Sequence, residues 1–134
     1  IQKAAARLQT GVSGGTHVTP VLKDLVVISV TVQPLNPLQS WNVTLQPMDV
    51  SKDILNCNWY RAPSTDASKL IFNFIRHGPP DLNTGQAYTG REFIYYNCSM
   101  LITNLLSNDS GNYTVILNGP RITRTGHTYF KVQT

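Results

Sequence analysis

Residues 108–113 read Asn-Asp-Ser-Gly-Asn-Tyr and run on into Thr114-Val115-Ile116-Leu117. The Asp-x-Gly-x-Tyr spacing from Asp109 to Tyr113 describes a tyrosine at the start of a strand whose hydroxyl returns a hydrogen bond to the backbone a few residues upstream. Arg91 lies eighteen residues before Asp109, where it is expected to form a charge-assisted, two-pronged pair with that carboxylate. Further upstream, Leu55-Asn56-Cys57-Asn58-Trp59-Tyr60 alternates strictly. Leu55, Cys57 and Trp59 therefore share one face of a strand, with Asn56 and Asn58 on the other. Trp59 is the expected centre of a core, closed at one end by Tyr113, Arg91 and Asp109.

The surrounding sequence is β throughout. Val26 to Val32 is rich in β-branched residues and is stopped by Pro34 and Pro37. Asn42–Met48, Lys69–Ile75, Arg91–Tyr96, Ser99–Thr103, Gly111–Leu117 and Thr128–Val132 supply further strands, whereas His77-Gly-Pro-Pro-Asp and Asn83-Thr-Gly read as turns. Eight or nine short strands, with the Trp59 and Asp109–Tyr113 signatures in this order, define an all-β protein. Its expected architecture is the immunoglobulin V-type two-sheet sandwich with Greek-key topology, over residues 27–134. Residues 1–26 stand apart as a leader or extension: Ile1–Gln9 has helix-forming composition, and Gly11, Gly14 and Gly15 break it.

Composition narrows the function. The net charge is +4, but the basic residues are scattered singly, so the footprint of a nucleic-acid binder is missing. No run of eighteen apolar residues is present to cross a membrane, and the chain is expected to be a processed product or a fragment. Asn42, Asn97, Asn108 and Asn112 each begin an Asn-x-Ser/Thr sequon, which points to an extracellular glycoprotein, at a cell surface or secreted. Asn108 and Asn112 are too close for both to be occupied readily. His17, His77 and His127 have no spacing that gathers them with the cysteines, so neither a metal, a cofactor nor a catalytic constellation is expected.

Tyr88-Thr-Gly-Arg-Glu92, Asn97-Cys-Ser-Met-Leu-Ile102 and Asn108-Asp-Ser-Gly-Asn-Tyr-Thr114 resemble the amino-terminal V-type domains of the carcinoembryonic-antigen cell-adhesion family, which includes the pregnancy-specific glycoproteins. Those domains read Ala-Tyr-Ser/Thr-Gly-Arg-Glu, Asn-x-Ser-Leu-Leu-Ile and Asn-Asp-Ser/Thr-Gly-x-Tyr-Thr at these places. The resemblance covers about residues 28–132. It implies a membrane-distal, glycosylated domain that binds protein through the sheet of the strands conventionally lettered G, F, C, C′ and C″. It also implies the lack of the usual disulfide between strands B and F. Here the strand B segment Asn42–Met48 has no cysteine, and Val115 occupies the strand F position. Cys57 and Cys98 sit elsewhere, on inward positions of strands C and E. Either they bridge the two sheets or they are two buried thiols.

The expected partner-binding residues are Asn58 and Tyr60 on strand C, Thr65 and Asp66 in the turn beyond it, and Leu70 and Phe72 on strand C′. Ile116, Asn118 and Arg121 join them from strand F and the turn after it. Asn58, Tyr60, Leu70 and Ile116 also follow from the resemblance. Leu70, Phe72 and Ile116 facing outward beside Tyr60 would make an apolar patch rimmed by polar groups, the mark of an interaction site. The partner is a protein, either a second copy of the chain or a related immunoglobulin-type receptor. A secreted ligand or matrix component that assembles without signalling is the alternative.

Overall fold

The computed structural model describes residues 24–134; the readings made for residues 1–23, His17 included, lie outside them. Ten strands follow one another: β1 (Asp24–Ile28), β2 (Val30–Gln33), β3 (Val43–Pro47), β4 (Asn56–Tyr60), β5 (Leu70–Ile75), β6 (Asp81–Thr84), β7 (Glu92–Ile94), β8 (Met100–Ile102), β9 (Gly111–Asn118) and β10 (Ile122–Phe130). They form a six-stranded sheet in the order β1-β10-β9-β4-β5-β6 and a four-stranded sheet in the order β2-β3-β8-β7. β1 runs parallel to β10, and the other named pairs are antiparallel. This is the V-type sandwich, with G, F, C, C′ and C″ in the larger sheet as β10, β9, β4, β5 and β6.

Period-2 alternation builds the core from both sheets. Cys57 and Trp59 on β4, and Tyr113, Val115 and Leu117 on β9, meet Val43 and Leu45 on β3 and Met100 and Ile102 on β8, all essentially buried. Cys57 and Cys98 are bridged, with Cα atoms 5.9 Å apart and a sequence separation of 41. The bridge joins β4 to the turn that enters β8, so it links one sheet to the other. Closing a loop of that length stabilises a fold by about 4 kcal/mol in the chain-entropy account. The Trp59 indole N–H donates to the Cys98 carbonyl at 2.9 Å, a second tie at the same place.

Several sequence expectations need correction. The run Val26–Val32 is not one strand: it divides at Ser29, with β1 in the larger sheet and β2 in the smaller. The crossover brings Val30 against β10 at Gly126, where an added Cβ would lie 2.6 Å from the Val30 methyl, so only glycine fits. β1 begins at Asp24, which places residues 24–26 in the sheet and not with the leader. β6 forms at Asp81–Thr84, where turn chemistry was expected. β10 starts at Ile122, six residues before the expected strand, because pairing with β9 carries it back to the turn.

The largest correction concerns Phe72. It was expected to face outward but is fully buried, and Phe74 is buried with it. Trp59 pairs with Phe72, yet Tyr60 pairs with Leu70, so Ile71 is an extra residue in β5. This bulge reverses the alternation between Leu70 and Phe72. Leu70 stays outward beside Tyr60, while Phe72 turns in against Trp59, its ring centroid 6.4 Å from that of Tyr88. Phe72→Ala is accordingly expected to lower the unfolding free energy by about 3 kcal/mol or more, read from urea denaturation, as for other buried aromatic truncations. A loss below about 1 kcal/mol would place Phe72 at the surface.

Candidate functional site

Directly paired residues share a face, so the register of the larger sheet sets its outer surface row by row. One row reads Asp81, Ile75, Asn56, Asn118, Thr123 across β6, β5, β4, β9 and β10. The next reads Asn83, Asn73, Asn58, Ile116, Thr125 and continues to Val27 on β1. The third places Leu70, Tyr60, Thr114 and His127 side by side. The outward positions of β4, β5, β9 and β10 therefore carry no Asp, Glu, Lys or Arg. Amides fill the centre. Asn118 donates to the Asn56 carboxamide oxygen at 2.9 Å, whereas the carboxamide oxygens of the paired Asn58 and Asn73 find no hydrogen-bond partner among the described residues.

Among the residues singled out from the sequence, Asn58, Tyr60, Leu70, Ile116 and Asn118 come together on this surface, each partly exposed. Phe72 does not. Thr65 and Asp66 are exposed in the β4–β5 turn, where the Asp66 side chain accepts the Ser68 N–H at 3.5 Å. Arg121 is exposed in the β9–β10 turn, at the opposite end of the strands. Tyr129, 58% exposed and paired with Asn112, was missed, although its position between inward Phe130 and Thr128 on an alternating strand would have revealed it.

The end of the sandwich below Tyr60 is locked by charge. Arg91 pairs with Asp109 in a fork, Nη1 to Oδ2 at 2.8 Å and Nη2 to Oδ1 at 2.9 Å. The Tyr113 hydroxyl donates to the Asp109 carbonyl at 2.7 Å, and its ring stacks on Phe130 at 5.2 Å. Arg61, in the turn after β4, and Glu92, on β7, carry no signal of a buried role in the sequence. In fact Arg61 reaches in to Glu92, to Asp109 at 3.2 Å and to the Tyr113 oxygen at 2.6 Å. Glu92 is buried and also accepts the Thr89 N–H and hydroxyl, both at 2.9 Å. Two guanidinium groups thus balance two buried carboxylates. At the other end, Arg76 is buried beneath the Tyr96 ring and spends its donors on the carbonyls of Ile54, Tyr96 and Ser51.

The sequons divide between the faces. Asn42 immediately precedes β3 and Asn97 lies in the turn into β8, both at margins of the smaller sheet. Asn108 sits in the short turn Ser107–Asp109, beside a hollow of about 240 Å³ that Arg61, Thr89 and Arg91 also line. Asn112 alone lies on the outer surface of the larger sheet, in phase with Thr114 and Ile116. Among the described residues, no group of three His, Cys, Asp or Glu could hold a metal ion, and no helix is long and apolar enough to cross a membrane.

The two-sheet topology, the inward Trp59 and the tyrosine hydrogen bond define an immunoglobulin-type domain, and the chain belongs to the immunoglobulin V-set domain family, whose model matches residues 40–133. It is homologous to the cell adhesion molecule CEACAM16 of Rattus norvegicus, 33% identical over 114 residues covering 83% of this chain. That match takes in 26% of the relative, so the chain spans a minor part of the protein it resembles. Among solved structures, murine CEACAM1b shares the fold with a TM-score of 0.75 and 24% identity, over 80% of this chain and 54% of that one. A chain from a mouse coronavirus receptor-binding domain complexed with its murine receptor has a TM-score of 0.73 and 29% identity, over 79% of this chain and 53% of that one.

The charge lock has two measurable consequences. Removing one member of a buried ion group strands its partners, so Arg61→Met is expected to cost about 3 kcal/mol in chemical denaturation. Burial pushes the Asp109 carboxyl up, but the Arg91 hydrogen bond, the Leu106 N–H and the charges of Arg91 and Arg61 outweigh it and hold the group below its ordinary 3.8. Ionised Asp109 therefore favours the folded domain above about pH 4, and that contribution is lost as pH falls through the lower folded-state value. Thermal melts between pH 6 and pH 2 should show a smaller acid-side loss of stability for Asp109→Asn than for the parent chain.

Proposed function

We propose that the chain is an extracellular protein-recognition domain of the cell-adhesion kind. It binds a second copy of itself or another immunoglobulin-type protein through the outer face of the larger sheet, at a cell surface or in secreted form. The observation that carries this reading is an uncharged outer surface on β4, β5, β9 and β10 at whose centre the carboxamide oxygens of Asn58 and Asn73 lack a hydrogen-bond partner among the described residues. Surfaces of soluble proteins are ordinarily rich in charge, whereas the centres of protein interfaces are depleted of it and enriched in tyrosine. Tyr60, Leu70, Ile75 and Ile116 supply apolar area, and the asparagines supply donors and acceptors that fix register without the desolvation cost of ions.

The smaller sheet also exposes apolar groups, with Phe93 51% and Tyr95 48% accessible. Asn42 and Asn97 flank that side, and sugars attached there would crowd it. Similarity to proteins named for cell adhesion, and to a structure that includes a receptor bound to a viral protein, supports recognition of protein by this fold.

Sedimentation across the micromolar range tests the choice of face. Ile116→Arg, which puts a charge at the centre of the larger sheet, is expected to weaken association, with itself or with a captured partner, at least about tenfold, or 1.4 kcal/mol. Phe93→Arg, on the smaller sheet, should leave it within about twofold. The reverse ranking would assign binding to the smaller sheet.

A further inference from the structure

Asn112 is the second residue of β9, in phase with Thr114, Ile116 and Asn118, and of these Ile116 and Asn118 belong to the proposed recognition face. Its side chain is exposed, and across the β9–β10 ladder it meets Tyr129. On the other side β4 ends at Tyr60, opposite Thr114, so no strand covers Asn112 there. Four residues along an extended strand span about 14 Å, which puts Ile116 within reach of an oligosaccharide of several sugars. Asn108, four residues earlier, lies in the turn that enters β9, outside the strands of the larger sheet, and lines the hollow at the charged end.

We propose that Asn112 is an N-glycosylation site that governs the recognition face. A sugar chain on Asn112 lies over Tyr129 and the β9–β10 end of the face and limits protein contact there, while one on Asn108 leaves the face open. The inference rests on the recognition reading above and adds its regulation. Chain folding makes the outcome permanent. The hydroxyl of Thr114, the third residue of the sequon, is buried in the folded domain, donating to the Ala62 carbonyl at 2.8 Å and lying 2.9 Å from His127 Nδ1. The modifying enzyme must reach that hydroxyl and the Asn112 amide in an extended chain, before β9 closes on β4 and β10. Because Asn108 and Asn112 are near enough to compete, synthesis divides the protein into forms with the face covered and forms with it free.

The test uses the chain secreted from a glycosylating host, alongside Asn112→Gln and Asn108→Gln, with occupancy read by peptide mass spectrometry. Hydroxyl-radical footprinting of monomers reports the covering without any partner. Tyr129 should be labelled severalfold less when Asn112 carries sugar than in Asn112→Gln, and Asn108→Gln should not relieve that protection. Sedimentation should show Asn112→Gln associating at least about tenfold more tightly than the Asn112-glycosylated form. An Asn112 found unmodified throughout, or equal Tyr129 labelling with and without the sugar, overturns the proposal. Protection of Tyr129 with no association by any form supports the covering and instead defeats self-recognition.

Discussion

Strand β4 is tied to the opposite sheet at two successive inward positions. Cys57 is bonded through sulfur to Cys98, and Trp59 hydrogen-bonds the carbonyl of the same residue. A strand has only two faces, so fixing Cys57 and Trp59 inside obliges Asn56, Asn58 and Tyr60 to point out. A slip by one residue would bury three polar side chains and expose the tryptophan, which makes the register of β4 costly to change. β5 and β9 pair with β4 on either side and inherit that register. The outer surface of the larger sheet therefore follows from a constraint buried beneath it.

The two ends of the sandwich are closed by different chemistry. Below Tyr60, Arg61 and Arg91 neutralise Glu92 and Asp109 in an enclosed space where unpaired charge would be costly. At the other end the Arg76 guanidinium is held by carbonyl oxygens and an aromatic ring. Arg61, Arg91, Glu92 and Asp109 at one end and Arg76 at the other are thus spent inside the fold. The flat amide-rich surface between the two ends carries no formal charge at the outward positions of β4, β5, β9 and β10.

Much of this was legible in the sequence because alternation and spacing are local signals. Trp59 and the Asp109–Tyr113 pattern sufficed for the fold, and inward Cys57 and Cys98 made their bridge geometrically reasonable. Phe72 was misplaced because a bulge leaves no mark in a run such as Leu-Ile-Phe-Asn-Phe-Ile, where every apolar residue fits either face. β6 was invisible because an edge strand of four exposed residues, Asp81–Thr84, forms through pairing with β5 and not through its own composition. Glu92 and Arg61 could not be singled out from the sequence as buried, because each is tolerated inside only by the other's presence, a non-local fact. Val26–Val32 hid a change of sheet at Ser29 because both halves are equally β-prone.

The central claim is that the outer face of β4, β5 and β9 makes protein contact while the inner face holds the sheets together. Side-chain NMR spectra recorded as the chain is concentrated, or as a captured partner is added, test it most directly. The account predicts progressive shifts of the Ile75 and Ile116 methyl groups and the Asn58, Asn73 and Asn118 side-chain amides, with the Met100 and Ile102 methyl groups unmoved. Shifts confined to Leu101, Phe93 and Tyr95 on the smaller sheet would contradict it.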